Sequence, residues 1–215
     1  MNIENTETLK FMITLITIIN PIGVIPIFLS LTESFSQNHV KSVAKTCAIA
    51  VATTLALSTV FGQNILTFFG ISIASFTIGG GVLLFSMAFS MIKAAPSKAK
   101  ISKSEMENFE SRSDLGVVPL AIPILAGPGA ISTSIIHAKE LSDFSSWVGT
   151  VVVILVLSFA IYLILRSSRE LGRKLGMVGM SVLTRVFGII LLAISIEMIT
   201  GGIKDIFPLL QTSGL

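Results

Sequence analysis

The chain reads as an all-α polytopic membrane protein, with six transmembrane helices in a 3+3 inverted repeat and discontinuous first and fourth helices. Three observations predict this. Of 215 residues, 52% are hydrophobic and only 13% are charged, about half the charged share of a typical soluble domain. The charges cluster between apolar windows long enough to cross a bilayer. Prolines and glycines recur in matching pattern inside two of those windows.

The windows give the elements in order. Phe11 to Thr32 is charge-free and the length of one span. Thr46 to Ile92 is twice that length, so it predicts two spans, broken near Gly62-Gln63-Asn64 or Phe69-Gly70-Ile71. Leu115 to Ala138 predicts the fourth span and Phe144 to Leu165 the fifth. The sixth, about Val182 to Ile203, is apolar but carries Arg185 and Glu197. The polar stretch Lys93 to Asp114 follows the third span. The chain is thus one transmembrane domain over 1–215, with a first half at about 8–93, a cytoplasmic loop at 94–114 and a second half at about 115–207.

Charge sets the orientation. With six spans, the termini and two loops share one face, which holds Lys10, Lys139 and Lys204. The other face holds Lys41 and Lys45, five basic residues from Lys93 to Arg112, and four from Arg166 to Lys174. Cytoplasmic loops carry the excess of Lys and Arg. Both termini are therefore expected outside the cytoplasm, in a multi-pass protein of the bacterial inner membrane.

The same features exclude other classes. The net charge of +3 lies in loops, which points to lipid and not to nucleic acid. One cysteine, Cys47, and two distant histidines, His39 and His137, give no metal-ligand spacing and no disulfide. No G-x-S-x-G and no H-E-x-x-H is present. No enzyme chemistry, metal or cofactor is expected.

Two halves of three spans each must enter the membrane from opposite sides. A shift of 109 residues lays Gly70, Ser72, Gly79, Leu83 and Ser86 on Gly179, Ser181, Gly188, Leu192 and Ser195. The first and fourth spans both hold prolines five apart, Pro21 and Pro26 against Pro123 and Pro128. A shift of 102 aligns both pairs, and a shift of 107 aligns Pro21 with Pro128; both registers stay open. Inverted repeats with broken helices at matching places are a recurrent transporter plan, with the binding site near the midplane.

The broken segments carry the chemistry. In Asn20-Pro21-Ile22-Gly23-Val24-Ile25-Pro26, each proline lacks an N–H, so Pro21 frees the carbonyl of Thr17 and Pro26 that of Ile22. Asn20 and Ile25, each preceding a proline, are pushed from helical angles. In hydrocarbon an unpaired backbone group costs several kcal/mol, so such a break needs protein, water or ligand partners. Asn20 adds an amide there. In Gly127-Pro128-Gly129, a half-helix restarting after Gly129 would aim free N–H groups at a carboxylate, with Ser132, Thr133 and Ser134 in its first turn. Kinks in single spans are commonly structural; two breaks at equivalent places are less ordinary and favour a functional reading. Glu197, inside the sixth span, is a candidate for ion or proton coupling. Arg185 reads as snorkelling to the cytoplasmic interface, and His137 as interfacial.

The segments NPIGVIPIFLSLT at 20–32 and GVVPLAIPILAGPGAIS at 116–132, with Thr184-Arg185 to Gly188 and Ile196-Glu197, resemble the MarC family of bacterial inner-membrane proteins, which includes the SnatA-type small neutral amino acid transporters. The resemblance runs from about residue 8 to 208. It implies six spans as a 3+3 inverted repeat with discontinuous first and fourth helices. It also implies transport of small neutral amino acids such as glycine and alanine, with Na+ or H+ as the coupling ions to consider. Carried onto this sequence, the broken-helix residues are Asn20, Pro21, Gly23 and Pro26 with Gly127, Pro128 and Gly129; the substrate-binding candidates are Asn20, Pro21, Gly23, Gly127, Pro128 and Gly129, with Ser132 from the residue reading. The rivals are a channel or exporter of another solute or drug, and a non-transporting accessory subunit of a membrane complex. Oligomeric state is left open.

Overall fold

The computed structural model describes residues 3–93 and 125–207, and among these the regular elements are all helices. The expected loop 94–114 and the start of the fourth span, with Pro119 and Pro123, lie outside the described residues. In chain order the helices are α1 (Ile3–Ile19), α2 (Ile25–Leu31), α3 (Gln37–Phe68), α4 (Ile73–Ile92), α5 (Pro128–Glu140), α6 (Phe144–Arg166) and α7 (Ser168–Ile206).

Four segments are long and apolar enough to cross a membrane: Gln37–Phe68, Ile73–Ile92, Phe144–Arg166 and Val178–Ile206. They match the second, third, fifth and sixth windows. The first window is divided between α1 and α2, so its helix is discontinuous as expected. Phe144, Leu155 and Phe159 are among many large apolar side chains left exposed. A soluble monomer rarely exposes so much apolar surface, whereas a lipid-facing surface requires it.

Local chemistry sets the helix ends. Ser36, Ser72 and Asp143 cap α3, α4 and α6, accepting from the N–H of His39, Ser75 and Ser146. Between α3 and α4 the second of the two expected turns forms. Gly70 takes φ +66, its N–H donates to the Thr67 carbonyl at 3.0 Å, and the Ile71 N–H donates to the Leu66 carbonyl at 2.9 Å. This pattern ends a helix on a left-handed residue, which glycine adopts without steric cost. Gly62 instead stays helical and buried against Ile135.

α4 packs most extensively on α7, along a seam of close backbone approaches. The space where a Cβ would stand is 2.9 Å from the Ser195 carbonyl at Gly81, 2.9 Å from the Ala74 carbonyl at Gly202, and 3.2 Å from the Ala88 carbonyl at Gly188. The two helices are therefore antiparallel and in near-backbone contact, as small residues allow in membranes. α3 packs on α6 and α5, α1 on α5 and α6, and α2 on α7.

α7 is two helices in one direction of chain. Gly176 has φ 63 and ψ 179, so Ser168–Leu175 forms a separate arm before the span. That arm holds α2. The Arg169 guanidinium donates to the carbonyls of Thr32 at 2.9 Å and Phe35 at 2.6 Å, and to Gln37 Oε1 at 3.2 Å. Gly172 meets the Leu29 side chain. A cation on the exposed carbonyls at the end of α2 also suits the negative end of a helix dipole.

Candidate binding site at the broken helices

α1 ends because Asn20 turns left-handed, at φ 44. Asn is one of the few residues besides glycine that tolerates this region. The Asn20 N–H still closes on the Ile16 carbonyl at 3.0 Å. Next in line, the Thr17 carbonyl faces Pro21, which has no N–H. The Gly23 N–H turns instead to Asn20 Oδ1 at 3.1 Å. A Cβ at Gly23 would collide with Asn20 Nδ2, so the asparagine closes the turn only over a glycine. Asn20 is 4% exposed, and its amide nitrogen donates to none of the described residues.

Pro26 behaves differently from its expected role. The Ile22 carbonyl accepts from the Ile25 N–H at 3.1 Å, so Pro26 frees no acceptor. Ile25 is the first residue of α2 and Pro26 stands in its first turn, where proline is tolerated because no N–H partner is needed. One proline breaks the span and the other restarts it.

The same rule corrects the start of α5. The helix begins at Pro128, after an extended Gly127 (φ −71, ψ 179), and has no side-chain cap. It does not wait until after Gly129. Ser132 therefore falls in the second turn, one turn above Pro128 on the same face. Gly129 and Ala130 lie in the first turn, where an α-helix offers no acceptor for their N–H groups.

The end of α1 and the start of α5 meet. At Gly129 the Cβ space is 3.2 Å from Ile18 Cγ2 and 2.6 Å from Leu84 Cδ1. Toward the other end of the same pair, the Phe11 and His137 rings stack at 3.9 Å. α1 and α5 thus run antiparallel, with the carbonyl end of α1 beside the N–H end of α5. Gly80 of α4 closes the third side, its Cβ space 3.2 Å from the Pro128 carbonyl carbon. None of the side chains named at this junction is charged.

Ser132 is fully buried and its hydroxyl has no hydrogen-bond partner. Among the described residues the hydroxyls of Thr77, Ser158 and Ser168 are likewise buried and without a partner. A buried hydroxyl without a partner costs about 1–3 kcal/mol, so these stand apart from Thr32, Thr59, Ser134 and Thr150, which donate to a carbonyl four residues back. Sequence reading found Ser132 but missed Thr77, since nothing local marks a threonine in an apolar helix as unpartnered.

Toward the Phe11–His137 end of the pair, α1 and α5 frame a cleft of about 260 Å³ lined by Glu7, Lys10, Phe11, Thr14, Thr133, Ile136 and His137. His137, in the last turn of α5, is 6% exposed and is packed between α1 and α6. The Thr150 hydroxyl donates to the Ser146 carbonyl, and His137 Nε2 shares a hydrogen bond with Thr150 Oγ1 at 3.0 Å.

Glu197, the coupling candidate, is not brought here. Glu197 is exposed and sits roughly 200° around α7 from the seam residue Ser195, facing away from α4. Arg185 is likewise exposed, toward the arm end of α7. The spacing places both in the span but does not say which way either faces.

Comparison with known proteins agrees with the resemblance of the sequence. A profile described as MarC family integral membrane protein matches residues 6–207. The UPF0056 membrane protein YhcE of Escherichia coli is 39% identical over 93% of both chains. The UPF0056 membrane protein YvbG of Bacillus subtilis is 34% identical over 93% of this chain and 95% of its own. A UPF0056 membrane protein of Methanocaldococcus jannaschii is 36% identical over 89% and 93%. These names state a membrane location and no activity. No solved structure matches. On a profile and relatives that span almost its whole length, the chain belongs to the MarC family of integral membrane proteins.

Proposed function

We propose that the chain is a secondary transporter that moves small neutral amino acids, of the glycine and alanine type, across the cytoplasmic membrane by alternating access. The observation that carries this reading is the meeting of two helix ends of opposite polarity inside the membrane, beside buried polar groups without partners. A zwitterion has no net charge and two charged poles, which fits an uncharged junction with two dipolar ends. The free carbonyls near Thr17 suit an ammonium group. The N–H groups of Gly129 and Ala130, with the Ser132 hydroxyl, suit a carboxylate. Ile18 and Leu84 crowd Gly129 and leave room for a small side chain only.

The helix pairings support a 3+3 inverted repeat over about 8–93 and 115–207. The first span packs on the fourth (α1 on α5), the second on the fifth (α3 on α6) and the third on the sixth (α4 on α7). A two-fold axis in the membrane plane brings each span beside its counterpart in this way. Glu197 faces away from the junction, so it has no direct part in binding in this reading; Na+ or H+ coupling is a separate question that the same experiment answers.

The test is counterflow. Proteoliposomes of the purified chain are loaded with unlabelled alanine, and entry of labelled alanine is followed with and without Na+ and H+ gradients. Transient accumulation that depends on internal alanine is expected. Its absence with folded protein removes alanine as substrate, and ohmic current in its place identifies a channel.

A further inference from the structure

We propose that Thr77 of α4 is a further substrate-contacting residue, whose hydroxyl donates with that of Ser132 to the substrate carboxylate. The proposal rests on the amino acid reading of the junction, and three observations lead to it.

First, Thr77 is 8% exposed and its hydroxyl has no partner. The usual recourse of a helical threonine is the carbonyl four residues back, and Thr32, Thr59 and Thr150 all use it. Thr77 has the Ile73 carbonyl at that spacing and leaves it unused. Secondly, Thr77 shares its face of α4 with Gly80 and Leu84 (spacings of three and seven). These are the residues that meet Pro128 and Gly129 at the start of α5. Ser132, one turn above Pro128, shares the corresponding face of α5.

Thirdly, the helix directions bring Thr77 and Ser132 to the same side of the Gly80–Pro128 contact. The turn at Phe69–Ser72 puts the start of α4 beside the end of α3. Gly62, near that end of α3, meets Ile135 of α5. The start of α4 and the later turns of α5 therefore lie at one end of the bundle. One turn toward that end from the contact stands Thr77 on one helix and Ser132 on the other. Two unpartnered buried hydroxyls on facing helices, next to the N–H end of α5, form a donor set for an anionic group.

The test uses the full chain in proteoliposomes. Thr77→Val keeps the shape and removes the hydroxyl; Thr77→Ser keeps the hydroxyl. With labelled alanine, Thr77→Val is expected to raise KM at least ten-fold with a smaller change in kcat, and Thr77→Ser to stay near the unmodified protein. Equal KM for Thr77→Val and the unmodified protein overturns the proposal.

A second arm is independent of transport. Cys47 is the only cysteine in the sequence and is buried, so Cys47→Ala gives a background for Thr77→Cys. Modification of that thiol by a small methanethiosulfonate, slowed by alanine, is expected. A thiol that is not modified in folded protein overturns the proposal. Modification without protection by alanine or glycine, in a protein that transports neither, overturns the amino acid reading and with it the carboxylate contact. Transport by the unmodified protein with an unreactive Thr77→Cys overturns the Thr77 assignment alone.

Discussion

At the scale of single residues, Asn20 does two things that can be separated. Its backbone adopts a left-handed angle, and its side chain accepts from the Gly23 N–H while leaving an amide nitrogen unused. Asn20→Ala loses both, because alanine lacks the amide and disfavours the angle by roughly 1–2 kcal/mol. Asn20→Gly keeps the angle and loses the amide. If the amide meets substrate, both variants lose alanine counterflow by at least about ten-fold at normal membrane expression. Transport by Asn20→Gly near that of the unmodified protein sinks the binding role and leaves only the turn. Gly23→Ala is expected to fail as well, since its methyl displaces the Asn20 side chain.

At the scale of elements, the glycine seam between α4 and α7 predicts an uneven response along one helix. Gly81 faces the Ser195 carbonyl, whereas Gly79 has open space at its Cβ position. Gly81→Val is expected to push the helices apart at a cost of about 1–3 kcal/mol, read as a lower Tm in detergent. Gly79→Ala leaves Tm unchanged or raises it slightly, since alanine favours helix over glycine by about 1 kcal/mol. Equal effects at the two positions contradict the packing. The arm Ser168–Leu175 is a second element with its own expectation. Arg169 places three hydrogen bonds on the segment after α2, and lysine has no planar fork to repeat them. Arg169→Lys is expected to speed hydrogen exchange at Thr32–Gln37 without a matching change in α5.

At the scale of the whole molecule, the basic residues and the helix directions give one orientation. The turn after α2 holds Ser34, exposed, near Arg169; the turn after α5 holds Ser142, also exposed. From the excess of Lys and Arg on the Ser34 side we propose that this side faces the cytoplasm. In intact cells, with Cys47→Ala as background, a membrane-impermeant maleimide is expected to label Ser142→Cys and not Ser34→Cys. The reverse pattern inverts the topology.

Much of this architecture was legible before any tertiary structure. Charge-free windows fix span length because the bilayer core is about 30 Å thick. The turn at Gly70 and the break at Asn20-Pro21 follow from backbone sterics, which depend on neighbours in sequence alone. So Asn20, Pro21, Gly23 and the start of α5 were readable as the broken segments, with the roles of Pro26 and Pro128 adjusted once both proved to stand in the first turn of a helix. What the sequence left undecided is which way a helical residue faces. Apolar residues surround nearly every span, since lipid and core are alike in polarity, and the pattern that marks the inner face of a soluble helix is weak. The tertiary structure therefore decided that Glu197 faces away from α4, that His137 is buried between three helices, and that Thr77 stands unpartnered one turn from Gly80, the residue of α4 that meets the start of α5.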